Sequence, residues 1–187
     1  MKLKKWNAAL GLLSIALMLL HIGYSVFCYL TFYYNPVLKN VFAIPFIVAV
    51  CLHAVLGMLT VFLNKDGTRM DLYPKKNLGT ILQRVSAALV FPLLILHIQT
   101  FALMQAAAEK GQMPVIILLI AAEILFFAVV ITHVSISLTK GMITLGWLSS
   151  EKTVRTLDRI IYVIGAACFA LSVFAVVRGQ LAMFLGR

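Results

Sequence analysis

Five long runs of predominantly apolar residues take up most of this chain's 187 positions, with short polar stretches between them. A helix needs about 20 such residues to cross the hydrocarbon of a bilayer. Within that layer only a helix or a closed barrel satisfies its own backbone. The length of the chain leaves room for five such spans with short loops, so the expected fold is an all-α membrane protein, five transmembrane helices in a bundle. With 63% hydrophobic and 12% charged residues, the composition also lies outside the range of soluble domains.

The spans are expected at about 6–33, 41–63, 80–107, 113–139 and 159–185 of a single domain, 1–187. The first resembles a signal peptide, but its apolar run is too long and has no small-residue cleavage site, so it reads as a retained span. Tyr29, Phe32, Tyr33 and Tyr34 read as an aromatic belt at its far end. Asn35-Pro36 then breaks the helix, and Glu109-Lys110-Gly111 makes a tight turn. The polar stretches 64–78 and 141–158 read as the two long loops. Pro45, Pro92 and Pro114 lie inside or at the start of spans, where membrane helices tolerate them.

The net charge of +10 is unevenly placed. Lys2, Lys4, Lys5, Lys65, Arg69, Lys75, Lys76, Arg84, Lys140, Lys152, Arg155 and Arg159 fall on one side of the expected topology; Lys39, Lys110, Arg178 and Arg187 fall on the other. By the positive-inside rule the N-terminus is cytoplasmic and the C-terminus outside. The basic character therefore calls for no nucleic-acid partner, although a basic inner face could also dock a soluble subunit. Cys28, Cys51 and Cys168 occur singly, with no CxxC or CxxCH, so a zinc ribbon, a redox pair and covalent haem attachment are not indicated.

The chain's four histidines, His21, His53, His97 and His133, fall one in each of the first four spans. Imidazoles in hydrocarbon are costly and usually functional. Each sits on a helical stripe of small or polar residues: Gly11, Ser14, Met18, His21, Ser25 and Cys28 in the first span, and Ala49, His53, Gly57, Thr60 and Asn64 in the second. Ser86, His97, Thr100 and Met104 form the third stripe, and His133, Ser137, Lys140 and Thr144 the fourth. Small residues let helices, or a flat macrocycle, approach closely.

Neutral imidazole is a good ligand for haem iron. A proton relay is the rival reading, but relays usually draw on acids, and the spans hold one, Glu123. From the nearest basic residue of the inner side, His21 lies 16 residues away and His133 only 7. At 1.5 Å per residue these two differ in depth by roughly 13 Å, which disfavours one shared metal site. The best depth pairing is His21 with His97 and His53 with His133, though other pairings fit only modestly worse. Two haem b groups, each clamped between two histidines, are the expectation. Arg84, Lys140, Ser86 and Thr144 are candidates for the haem propionates, with interfacial snorkelling the simpler role for the two cations. Glu123 is a candidate for quinone or proton chemistry.

Ile81-Leu82-Gln83-Arg84-Val85-Ser86 followed by His97, and His133 and Ser137 followed by Thr144-Leu145-Gly146-Trp147, carry a resemblance. With one histidine on each of the first four helices, the chain resembles the di-haem cytochrome b membrane anchor of succinate:quinone oxidoreductases, the succinate dehydrogenase and fumarate reductase family. The resemblance implies that His53 and His133 ligate a haem proximal to the cytoplasm, and His21 and His97 a distal one. It also implies a flavoprotein and an iron–sulfur subunit as partners, menaquinone or another quinone as substrate, and a bacterial cytoplasmic (inner) membrane. Two departures stand out. The first loop is short and has no acid, and the residue two before His133 is Ile131, where one member type has a membrane glutamate.

With neither a nucleotide-binding glycine motif nor a cysteine cluster, the chain is expected to have no dehydrogenase activity alone. Two alternatives stand beside the anchor: a haem b subunit of another dehydrogenase, hydrogenase or reductase, and a haem-free transporter with a histidine proton path.

Overall fold

The computed structural model describes residues 2–64 and 74–186, and within them every apolar run is a helix: α1 (Lys2–Thr31), α2 (Pro36–Asn64), α3 (Pro74–Glu109), α4 (Met113–Leu145) and α5 (Glu151–Leu185). No strand occurs among the described residues. All five helices are long and apolar enough to cross a membrane. At 29 to 36 residues each, they measure roughly 43–54 Å, well beyond a hydrocarbon core of about 30 Å. Large apolar side chains such as Leu118, Val163 and Phe174 are 69%, 71% and 60% exposed, as expected where lipid rather than water is the solvent.

The helices overrun the apolar windows. The stretch 141–158, expected as a loop, is mostly helical: α4 continues to Leu145 and α5 begins at Glu151, leaving only 146–150 between them. Its polar residues are helix formers, and Glu151 and Arg155 pair one turn apart at 2.6 Å. The other expected loop, 64–78, lies outside the described residues over 65–73; from Pro74 onward it is already α3.

The tight connections have identifiable chemistry. Gly111 (φ +64°) ends α3 with bonds from its own N–H to Ala108 and from Gln112 N–H to Ala107. Gly146 (φ +84°) ends α4 in the same way, through Ile143 and Met142. Both are Schellman-type stops that use a residue free to adopt the left-handed region. Between α1 and α2, Asn35 Oδ1 accepts from Val37 and Leu38 N–H, with Pro36 at the first helical position. Tyr24 Oη clasps the same residue, donating to Asn35 O at 2.8 Å and accepting from its N–H at 3.0 Å.

The helices alternate in direction. The N-terminus and the 146–150 connection mark one end, here the basic end; the 32–35 and 110–112 connections mark the far end. α1 lies chiefly on α2, and α3 on α4. α4 is the most embedded helix, with Ile116, Leu119, Ile120, Glu123, Phe126, Ser135 and Thr139 buried, and it touches α1, α3 and α5. Met104, Ala107, Ile116, Leu119 and Ile120 form the tight core at the far end, backed by Val177, Leu181 and Phe184 of α5. Among the described residues, α2 packs extensively on α1 alone, and α1 with α3 forms no extensive packed seam.

Candidate functional site

The histidines pair across helices that form no extensive seam with each other, α1 with α3 and α2 with α4. His21 and His97 lie within electrostatic reach of each other, as do His53 and His133. His21 stands ten residues before the far end of α1 at Thr31, and His97 twelve before that of α3 at Glu109. His53 stands eleven residues from the basic end of α2 at Asn64, and His133 twelve from that of α4 at Leu145. Each pair is matched in depth, and the two pairs are separated along the bundle by roughly 10–15 Å at 1.5 Å per residue. All four rings are half-buried.

His53 Nδ1 lies 3.1 Å from Asn7 O. A carbonyl can only accept, so Nδ1 carries the proton and Nε2 keeps its lone pair, the state a metal ligand needs. The ring lies over Gly11, where an added Cβ would stand 3.0 Å from His53 Cε1 and 3.3 Å from Nδ1. His133 Nδ1 lies 3.1 Å from Gln83 O, which again makes Nδ1 the donor. Ser86 Oγ donates to the same carbonyl at 3.1 Å and sits 3.2 Å from His133 Nδ1.

The far pair is built differently. His97 Nδ1 meets Glu123 Oε2 at 2.7 Å, with the carboxylate almost wholly enclosed. Phe126 stacks on the His97 ring at 4.8 Å and 25°, and Phe127 meets its edge at 6.2 Å. His21 stacks on Phe46 at 5.7 Å, and its buried Nδ1 has no hydrogen-bond partner among the described residues.

The propionate candidates fall at the basic end with unequal freedom. Lys140 Nζ donates to Gln83 Oε1 at 3.0 Å and lies within electrostatic reach of Arg84, Asp158 and His133. Arg84 is half-buried. The Ser86 hydroxyl is engaged with Gln83 and His133, and Thr144 Oγ1 donates to Lys140 O on its own helix. A cleft of about 400 Å³ opens beside Lys140 between α3, α4 and α5, lined by Gly79, Leu82, Thr139, Asp158 and Tyr162 among others. Thr139 Oγ1 donates to Asp158 there at 2.7 Å.

At the far end Arg178 finds a partner and one expectation shifts. Arg178 donates to Leu30 O at 3.1 Å and lies 5.5 Å over the Phe32 ring, so it caps the C-terminus of α1. Tyr29, expected in the aromatic belt, packs inward on Gly179, where a Cβ would collide with its ring. It lies within electrostatic reach of Glu123 and against the buried Gln180.

Asn7, Phe46 and Phe126 were not singled out by sequence reasoning, and Gln83 entered only within the 81–86 stretch. Asn7 extends the Gly11–His21 stripe by one more step of four, a signal that was there to be read. The His97–Glu123 contact could be found by counting from Gly111: in an antiparallel hairpin, fourteen residues before the turn and twelve after it reach nearly the same depth.

The donor set fits haem. Among the described residues no three His, Cys, Asp or Glu converge on one point. A porphyrin supplies four nitrogens of its own and needs one imidazole on each face. Three of the four rings have Nδ1 on an oxygen acceptor, and each pair joins two helices that form no extensive packed seam. No protein-family model matches the chain, and neither a curated protein nor a solved structure matches it.

Proposed function

We propose that the chain is the membrane-anchor cytochrome b subunit of a succinate:quinone oxidoreductase, a succinate dehydrogenase or fumarate reductase. It would hold two haem b groups, one between His53 and His133 and one between His21 and His97. The observation that carries the proposal is the sorting of four intramembrane histidines, one per helix, into two depth-matched pairs. The hydrogen bonds around them do not explain their presence, since such bonds within membranes average only about 0.6 kcal/mol.

When bound, the haems supply one-electron transfer across the bilayer between cytoplasmic flavin and iron–sulfur subunits and a quinone, menaquinone being the expected one. The residues of the chain do the holding. Asn7 O and Gln83 O fix the tautomers of His53 and His133, and Gly11 gives the His53 ring room. Lys140 and Arg84 place positive charge at the basic end, where the propionates of the nearer haem would lie; Ser86 and Thr144 are weaker partners because their hydroxyls are engaged. The basic end faces the cytoplasm in this reading, in a bacterial cytoplasmic membrane, and docks the soluble subunits.

Purification from native membranes tests this. A flavoprotein and an iron–sulfur protein should co-purify, and succinate should reduce a b-type spectrum. A molybdenum or nickel enzyme as the partner would assign the chain to another dehydrogenase or hydrogenase. The His97–Glu123 contact favours one second reading, a haem-free transporter with a histidine proton path; pure protein without a Soret band would select it.

A further inference from the structure

The cleft between α3, α4 and α5 at the basic end has two kinds of wall. Leu82 and Ile143 are apolar and exposed, so the cleft opens sideways to lipid. Lys140, Thr139 and Asp158 form its polar part. Its volume of about 400 Å³ falls in the range of small-molecule sites. Lys140 lies five residues before the end of α4 at Leu145. Because the helix overruns the hydrocarbon layer at its ends, this residue stands near the level of the lipid headgroups.

The charge in the cleft is one-sided. An ammonium has three N–H donors, and Lys140 gives one to a neutral oxygen, Gln83 Oε1 at 3.0 Å. Asp158 is the acid that lines the cleft, and it already accepts the Thr139 hydroxyl at 2.7 Å. Arg84 adds a second cation within electrostatic reach of Lys140. The approach to the ammonium is open on the α3 side, because Gly79 has no side chain; a Cβ there would stand 3.9 Å from Lys140 Nζ. By helical spacing Ile136, Thr139 and Ile143 share the cleft face of α4, and Lys140 stands where that face borders the His133 stripe.

A cation at headgroup level beside apolar walls open to lipid matches the two ends of a phospholipid. Basic pockets between transmembrane helices on the cytoplasmic side bind anionic headgroups in this way. A zwitterionic lipid brings its own cation to the same place and gains less. We infer that this cleft holds one anionic phospholipid, its phosphate on Lys140 and its chains along Leu82 and Ile143. The inference goes beyond the haem reading and does not depend on it.

The test adds phosphatidylglycerol or phosphatidylcholine to the delipidated, purified complex and counts bound lipid by native mass spectrometry, with haem content read on the same samples. Wild type should take up phosphatidylglycerol in preference to phosphatidylcholine. Lys140→Met should bind it roughly fivefold more weakly, the effect of removing one cation near the headgroups, and Lys140→Arg should restore it. Gly79→Leu, which covers the ammonium, should exclude the lipid and keep the haem; if it fails to assemble, the Lys140 pair carries the test. Equal uptake of the two lipids, or undiminished phosphatidylglycerol binding in Lys140→Met, would overturn the inference. Loss of haem from Lys140→Met with lipid uptake unchanged would also overturn it, assigning this cation to a propionate. Displacement of the lipid by inorganic phosphate at comparable concentration would overturn the lipid as the source of the anion.

Discussion

His53 and His133 give their Nδ1 protons to the backbone carbonyls of Asn7 and Gln83, while His97 turns its Nδ1 to the Glu123 carboxylate and His21 meets no acceptor among the described residues. The basic-end pair is therefore held by helix geometry, which no side-chain substitution removes. The far pair is held by side chains: one carboxylate and two phenylalanine faces, Phe46 and Phe126. The first arrangement rests on backbone acceptors beside the cations Lys140 and Arg84; the second rests on side chains and includes a carboxyl group. The basic-end site should thus yield to changes that delete ligands, move helices or crowd the His53 ring, whereas the far site should respond to single polar substitutions.

Deleting a ligand has the largest expected effect. His53→Ala or His133→Ala should abolish one of two b-type components and halve the haem per chain while the far component persists, measured by reduced-minus-oxidised spectra. An unchanged spectrum in both variants would break the pairing. Next comes the surface under His53. Gly11→Val places branched atoms where even a Cβ would stand 3.0 Å from the ring. It should strip most of the basic-end haem and spare the far one; Gly11→Ala should do so partially.

Gly179→Ala acts on the other half of the molecule. Its new Cβ meets the Tyr29 ring between α1 and α5. Overpacking of this kind typically costs about 1–3 kcal/mol. Thermal unfolding in detergent should show a lower midpoint, with any haem change confined to the far site. The smallest effect is expected from Ser86→Ala. The Gln83 carbonyl still receives the His133 proton, so haem content should stay near wild type. A large loss there would show that the serine, and not the backbone, holds the ring.

The helices were legible because hydropathy alone dictates them. The loop at 141–158 was not, because charge was read as a sign of irregular backbone. Lys140, Glu151, Lys152 and Arg155 are polar helix formers, and they extend α4 and α5 past the apolar windows. Tyr29 was misplaced for a related reason: a tyrosine near a span end suggests the interface, and only the facing Gly179 on α5 shows the space that draws it inward. Depth counting indicated the histidine pairs, since rise per residue is constant along a helix. It could not tell which neighbour each Nδ1 finds. Asn7 lies 46 residues from His53 and Gln83 lies 50 from His133, and such partners depend on how helices rotate against each other.

Haem content of the purified chain is the most direct measurement. A pyridine haemochrome assay should give two haem b per polypeptide, falling to one in His133→Ala. One haem in the wild type, or none, would contradict the assignment of four histidines to two bis-histidine sites.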